Sequence, residues 1–417
     1  MSPTRKIFLF IALPLILILG ALTVYYLGFS NNDNLNGSAQ TDANDTAEKN
    51  ALRAGKQLSN NRCKGEGVPY KLSHSPMEPE DFTHIIPYGL MVGGHVTPID
   101  HQYFSPKDYR SPVDAYEVYA MADSSLVDIG TRTNKVHPAT EYRLVFSVSC
   151  TFLYYYDLVT SLAPEIKTIL DERGRDGFFS GNIPVKAGQI IGRIGGRTLD
   201  FAVWDTTKPL QGFVNPASYT GEAWKIYTAD PLDYYTDELR QFILSRYVRT
   251  AEPISGKIDH DIDGKLIGNW FLEGSNGYAG PGGGQDGYWI GHLAIAPDHY
   301  DPTQTIVSMG FLYKKVGSDD QMQYMVLPGA MSPAEVGVDS GLARYDLARW
   351  EYSKTDGSSW DKTTIADGVI AKSDPSRHFG CVLAQLTERR QLKFELFLER
   401  ACDEVSDFTV QARLYAR

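Results

Sequence analysis

A chain of 417 residues is too long for one ordinary hydrophobic core, and its length predicts two or three domains. With 42% hydrophobic and 22% charged residues, its composition is that of a globular protein rather than a disordered one. The 51 acidic residues outnumber the 40 basic ones, giving a net charge of −11, which argues against a nucleic-acid partner. The 25 tyrosines, 18 phenylalanines and 38 glycines favour a mainly β fold.

The N-terminus has the pattern of a membrane anchor. Arg5 and Lys6 precede an uncharged, apolar stretch over residues 7–28, which is about the length that spans a bilayer as one helix. No small-residue cleavage site follows, so an uncleaved anchor is favoured over a cleaved signal peptide. The basic flank predicts a cytoplasmic tip at residues 1–6 and a single-pass cell-membrane protein whose bulk is extracytoplasmic. Residues 29–60 are rich in Asn, Asp, Ser and Thr, and predict a disordered stalk.

Short strand-like runs separated by turns begin at residue 61. They predict a first β domain over residues 61–252, containing one or two helices. Asp230 followed by Pro231 has the pattern of a helix start, and the apolar spacing after it predicts one helix over residues 231–248.

The remaining residues, 253–417, have an almost wholly β pattern. Eight or nine antiparallel strands are predicted there, as a closed barrel in preference to a sandwich. Gly268-Asn269-Trp270 resembles the G-x-W motif of lipocalin-like barrels, where the tryptophan closes one end. A barrel of that kind could hold a small apolar ligand, which gives this domain a further candidate function.

The four cysteines fit an oxidising compartment. Cys63 and Cys150 lie in the first half of the chain, Cys381 and Cys402 lie in the second, and no C-x-x-C pair of the zinc-binding kind occurs. Three pairings are open, and the pattern favours two disulfides within domains, Cys63–Cys150 and Cys381–Cys402. The alternative is four buried free thiols.

Four segments of the first domain resemble those of LytM/lysostaphin-type zinc endopeptidases, a metallopeptidase family. The resemblance covers about 110 residues. GGHVTPIDH (93–101) stands where the family has H-x-x-x-D, and SPVDAYEVYAMADSSLVDIG (111–130) resembles its strand pair. FLYYYDLVTSL (152–162) resembles its Y-x-H-L strand, and PVKAGQIIGRIGGRTLDFAVWD (184–205) resembles its glycine turn and H-x-H strand. The resemblance implies a LytM-like β fold.

The residues that carry the family's chemistry are largely replaced. Those enzymes hold zinc through positions that correspond here to His95, Asp100 and Asp200, and the first two are five positions apart rather than four. The family's catalytic histidines correspond to Asp157 and Thr198. A carboxylate repels the oxyanion that an imidazole would stabilise, and threonine cannot shuttle a proton near neutral pH. The replacements predict a pseudoenzyme.

The replacements could still converge into a different metal site. His95, Asp100, His101, Asp157 and Asp200 would give two imidazoles and three carboxylates, a set that suits Zn²⁺ or Mn²⁺. In the alternative interpretation, Asp100 and His101 cap or orient a loop, and the other two carboxylates make surface hydrogen bonds.

A second metal-like motif stands at the start of the second domain. Asp259, Asp261, Asp263 and Gly264 form D-x-D-x-D-G, the first half of a calcium loop of the EF-hand type. Trp270 stands at the twelfth position, where the loop needs a bidentate acid. The alternative is an ordinary acidic turn before a strand.

Two classes of function follow from these observations. In the first, a membrane-anchored extracytoplasmic protein uses a non-catalytic LytM-like domain to bind a cell-envelope peptide, glycan or partner. In the second, the protein is a zinc-dependent cell-wall endopeptidase with a rearranged metal site. Asp157 and Thr198 favour the binding protein, because the hydrolase would have to work without two of its family's histidines.

Overall fold

A computed structural model of the chain describes residues 39–64, 70–133, 140–282, 287–313 and 322–417. The predicted cytoplasmic tip and the predicted transmembrane segment, residues 7–28, lie outside these residues. Across the ranges just given, no helix combines the length and the apolar character that crossing a membrane requires. The described chain is mainly β, with three α-helices and nineteen strands.

A helix, α1 (Ala39–Leu58), takes the place of the disordered stalk expected there. Alanine is the strongest helix former, and small residues on one side allow the C-terminal half of this helix to pack closely. Ala51 and Ala54 are buried, and a Cβ on Gly55 would collide with the backbone carbonyl of Cys150. The segment is polar overall, so its composition did not indicate the small apolar residues on the buried side of this helix.

Eleven strands form two antiparallel sheets in the first β region. The larger sheet has the order β1-β2-β10-β6-β5-β4-β8, with β11 beside β10, and the smaller has the order β3-β9-β7. The strands are β1 (Phe82–Ile86), β2 (Gln102–Pro106), β3 (Tyr116–Tyr119), β4 (Ser124–Thr133), β5 (Thr140–Ser147), β6 (Phe152–Val159), β7 (Ser161–Leu162), β8 (Phe178–Val185), β9 (Ile190–Ile194), β10 (Leu199–Asp205) and β11 (Thr228–Ala229).

The larger sheet is buried on both faces, because its side chains alternate between two apolar clusters. Phe146 and Tyr154 point into one cluster. Val145, Tyr155 and Trp204 point into the other, which also receives residues of a 3-10 helix, Pro216–Tyr227. The second face is therefore covered by the segment that follows β10, and the candidate site lies on this face.

The helix predicted over residues 231–248 is interrupted. A 3-10 turn at Pro231–Asp233 is followed by α3 (Asp237–Leu244). Between them the backbone pairs with Leu72, whose N–H donates to the Tyr234 carbonyl at 2.7 Å and whose carbonyl accepts from Thr236 at 3.0 Å. These bonds draw the chain out of helical geometry. A further helix, α2 (Pro164–Arg173), was not predicted, although proline at its first position is a typical start signal.

The C-terminal region forms a closed antiparallel barrel, as predicted. Large side chains of one apolar cluster, including Trp270, Tyr345 and Phe394, fill its interior. Its longest strand, Val369–Glu388, pairs with the preceding strand through two register shifts. The eight strands are β12 (Gly268–Leu272), β13 (His292–Pro297), β14 (Thr305–Met309), β15 (Gln323–Val326), β16 (Ala343–Lys354), β17 (Val369–Glu388), β18 (Gln391–Leu398) and β19 (Arg413–Ala416).

Both predicted disulfides are present. Cys63 is bonded to Cys150, and Cys381 is bonded to Cys402. The first bridge ties the end of α1 to the turn between β5 and β6, and the second ties β17 to the segment after β18.

Candidate functional site

The predicted site residues lie on, or just before, three adjacent strands of the larger sheet, β2, β10 and β6. Asp200 on β10 stands directly opposite Asp157 on β6 and directly opposite Tyr103 on β2. Residues opposite one another on neighbouring antiparallel strands project from the same face of the sheet. The resemblance therefore identified segments that do meet, and Asp157 and Asp200 share one cross-strand row.

His101 lies between two carboxylates. Its Nδ1 is 3.4 Å from Asp100 Oδ1, its Nε2 is 3.3 Å from Asp200 Oδ2, and Nε2 is also 3.0 Å from the Tyr103 hydroxyl. Burial lowers the pKa of His101, but the two carboxylates outweigh burial and raise it above its ordinary value. The contacts therefore favour an imidazolium at this position.

Asp100 is buried and bound by two groups from the 3-10 helix that covers the sheet. The Lys225 ammonium lies 2.8 Å from Asp100 Oδ1, and the Trp224 indole Nε1–H donates to Asp100 Oδ2 at 2.7 Å. Burial raises the pKa of Asp100, but the ammonium outweighs burial and holds that pKa well below its usual range. The Lys225 side chain is only 5% exposed, so this is a buried ion pair.

Asp157, which replaces a family histidine, is also paired with a cation. The guanidinium of Arg132 on β4 forms an ion pair with Asp157 Oδ1. The same oxygen accepts the backbone N–H of Leu158 at 2.8 Å. Leu158 has a φ of 66°, a conformation that bulky residues rarely adopt, and the pairing of β6 with β5 shifts register at this point.

Asp200 is the most perturbed carboxyl of the site. Burial, reinforced by the charge of Asp157, raises its pKa to about 7, against the lowering effects of His101, Arg132 and a hydrogen bond from Thr198. Its Oδ1 is buried and has no hydrogen-bond partner in the described part of the chain. Near neutral pH this group is poised between its charged and neutral forms.

His95 is exposed and lies apart from the ionic contacts. Its ring centroid is 6.2 Å from that of His101, with the two rings nearly perpendicular. The structure thus brings Asp100, His101 and Asp200 into direct contact, places Asp157 beside them, and leaves His95 at the margin. We refer to Asp100, His101, Asp157, Asp200, Arg132 and Lys225 as the ionic cluster.

The ionic cluster does not fit the zinc centre that the resemblance implies. Metal ligands must be deprotonated, whereas His101 is held between two carboxylates that favour its protonated form. Both oxygens of Asp100 are bound, one of them to an ammonium that would repel a divalent cation. Asp157 is bound by Arg132. Among the described residues, no group of three His, Cys, Asp or Glu side chains is arranged to hold a metal.

The calcium-like carboxylates do not converge either. Asp259 Oδ2 accepts the Gly212 N–H at 2.6 Å, and Asp261 Oδ1 accepts the Asn269 N–H at 2.7 Å. Asp263 lies at the surface, where it pairs with two arginines, Arg389 at 2.6 Å and Arg390 at 2.9 Å. These carboxylates connect the start of the barrel to neighbouring segments.

Three residues of the site were not predicted from the sequence. Lys225 and Trp224 reach Asp100 from a segment more than 120 positions away, and Arg132 reaches Asp157 across β5. None belongs to a motif of the resembled family. The only local signal is the pair Trp224-Lys225 in a turn-rich segment after β10, and that signal is too general to indicate a partner.

No family model matches the chain, and no curated protein sequence matches it. Among the solved structures that match, two have low similarity to the chain. Csd3 from Helicobacter pylori has a TM-score of 0.23 and 16% identity over 34% of this chain. Lysostaphin has a TM-score of 0.23 and 12% identity over 82% of this chain.

The extent of each match differs. The chain spans about a third of the length of Csd3, 33%, and 90% of lysostaphin. At TM-scores this low, neither structure gives this chain a fold family or an activity.

Proposed function

We propose that this chain is a membrane-anchored extracytoplasmic binding protein whose LytM-like domain holds a cell-envelope peptide, glycan or partner without cutting it. The observation that carries the proposal is the buried ion pair between Lys225 and Asp100. An ammonium stands against the carboxylate that, in the resembled family, would bind zinc. The anchor and the location rest on the basic flank and the apolar stretch at residues 5–28.

The electrostatics of the site support binding rather than hydrolysis. Peptide hydrolysis in this family needs a metal-bound water and hydrogen-bond donors aimed at a developing oxyanion. Here Asp157 brings a carboxylate to one of those donor positions, and Thr198 occupies the other. Losing a single oxyanion donor costs roughly 3–4 kcal/mol of transition-state stabilisation. Both donors are changed, so we expect no useful turnover.

The same cluster can stabilise a rigid surface. Its three carboxylates face an ammonium, a guanidinium and an imidazole within the site. Removing one member of a buried ion pair leaves the other uncompensated, which makes such a cluster intolerant of rearrangement. A fixed arrangement of this kind suits a domain that presents a preformed surface to a ligand.

The proposal is tested by separating binding from cleavage. Purified full-length protein in a mild detergent is mixed with insoluble peptidoglycan, with or without added zinc, and then sedimented. We expect the protein to sediment with the peptidoglycan while no soluble fragments are released under either condition. Release of fragments that is abolished by His95→Ala would contradict the proposal and would favour the endopeptidase with a rearranged site. Failure to sediment would remove peptidoglycan as the ligand.

A further inference from the structure

A further cationic side chain, Arg143, lies close to the ionic cluster but forms no ion pair with the carboxylates of that cluster. Arg143 on β5 projects from the same face of the sheet as Val145 and Tyr155. Its guanidinium carbon is 4.7 Å from the centroid of the Tyr155 ring, 4.8 Å from that of Trp224 and 5.9 Å from that of Trp204. The three rings form an aromatic cage around a half-buried cation.

The N–H groups of Arg143 have no acceptor within the described chain. No ion pair and no hydrogen bond to this guanidinium is found among the described residues, unlike Arg132, which is paired with Asp157. Cation–π contacts use the flat faces of the guanidinium and leave its N–H edge available for a planar, bidentate acceptor. Asp128 stands nearby, but it lies beyond ion-pair distance and accepts instead from Asn60 Nδ2 at 2.7 Å.

This guanidinium lines a cavity of about 540 Å³, a size typical of small-ligand sites. Aromatic and small side chains form much of its wall, and two arginines and one aspartate supply its charged groups. The residues that matter here are Arg132, Arg143, Asp128, Phe178, Trp204 and Trp224. Phe178 is 59% exposed at the rim, so the cavity has an apolar edge that is open to solvent.

We propose that this cavity binds the carboxylate group of a small, partly apolar ligand through a bidentate contact with Arg143. The aromatic walls would pack against the apolar part of the ligand, and the guanidinium would supply the two parallel donors that a carboxylate fits. The proposal deepens the binding function proposed above and rests on it. Two sources carry this chemistry, a free peptide C-terminus and an acidic sugar.

Four compounds test whether a carboxylate is bound and which kind of ligand supplies it. In isothermal titration of the full-length protein, N-acetyl-alanyl-alanine is compared with its C-terminal amide, and glucuronate is compared with glucose. Trp204 and Trp224 line the cavity, so intrinsic fluorescence gives a second measurement of the same binding. We expect at least one acid to bind and its uncharged counterpart to bind about tenfold or more weakly, because a charge-assisted hydrogen bond is lost. The acid that binds identifies the source.

Variants test the assigned residue. Arg143→Met is expected to weaken acid binding about tenfold or more, and Arg143→Lys is expected to weaken it less because it keeps the charge but loses the paired donors. Arg173→Met, on the exposed side of α2, is the matched control and should bind as the wild type does.

Three outcomes would overturn the assignment. They are an amide or glucose that binds as well as the matching acid, an Arg143→Met protein that binds as the wild type does, and a wild type that binds none of the four probes. If Arg143→Met does not fold, the acid-to-amide comparison on the wild type and the Arg143→Lys variant still decide the question. Sedimentation with peptidoglycan is scored separately, so the carboxylate site can fail while the proposed binding function stands.

Discussion

Replacing Lys225 by methionine removes the ammonium from the ionic cluster and keeps the side chain's length. Asp100 is then left in a buried environment with only the Trp224 indole and His101 as partners. Breaking a buried ion pair by removing one member costs about 3–5 kcal/mol, because the remaining charge has lost its compensation. The Lys225 side chain is 5% exposed and that of Asp100 is 6% exposed, so solvent cannot restore the lost interaction.

The matched control is the exposed lysine–aspartate pair on α2. Lys167 Nζ lies 2.5 Å from Asp171 Oδ1, but the Lys167 side chain is 44% exposed. Exposed pairs of this kind contribute little, so Lys167→Met should leave the melting temperature unchanged. At about 2 °C per kcal/mol for a chain of this size, Lys225→Met should lower it by about 6–10 °C.

Differential scanning calorimetry at pH 7 compares the melting temperatures of Lys225→Met and Lys167→Met with that of the wild type. Circular dichroism confirms that both variants fold. Adding Asp100→Asn to Lys225→Met should recover part of the loss, since the uncompensated charge disappears while an acceptor for Trp224 remains. A Lys225→Met protein that melts together with Lys167→Met would refute the view that this ammonium compensates a buried carboxylate.

The remaining predictions concern pH, the second disulfide and the calcium-like motif. Asp200 has a folded-state pKa of about 7, above its ordinary value near 3.9, so its ionisation destabilises the folded state as pH rises between those values. Asp200→Asn should therefore be more stable than the wild type by up to about 4 kcal/mol at pH 8, and this difference should disappear near pH 4. Urea unfolding at both pH values measures the difference, and a difference that does not change with pH would contradict the prediction. Replacing Cys381 and Cys402 by serine removes a disulfide between residues 21 positions apart, and should lower the free energy of unfolding by about 3 kcal/mol. An unchanged midpoint in guanidinium unfolding would contradict this prediction. Added calcium should not raise the melting temperature, because Asp263 is already paired with two arginines; a rise that Asp263→Asn abolishes would show a calcium site.

Local pattern was sufficient to predict much of the β architecture. Strands such as β18 alternate apolar and polar side chains with a period of two, which indicates a strand with one buried face. Regularly spaced short strands with turns between them predicted either a closed barrel or a sandwich, with the barrel preferred, and the barrel is present. The strand β2 was not predicted, because its five residues carry mixed polar and aromatic side chains with no clear period.

The ionic cluster could be predicted only in part. The carboxylates and His101 lie in segments that resemble a known family, so their meeting was predictable from the order of those segments. The cations that neutralise them come from elsewhere. Lys225 lies on a 3-10 helix whose position depends on tertiary packing against the face of the sheet that carries the ionic cluster. The sequence therefore left a rearranged metal site open as an alternative, and the contacts that argue against it depend on residues that no local signal connects to the site.

We infer that the Lys225 ammonium, and not a metal ion, balances the charge of Asp100. Zinc is titrated into the purified full-length protein at pH 7.5, and the metal that stays bound after dialysis is counted by mass spectrometry. We expect no stoichiometric zinc in the wild type and a protein that is equally stable in the presence of a chelator. One zinc per chain that is lost in Asp100→Asn would contradict this inference.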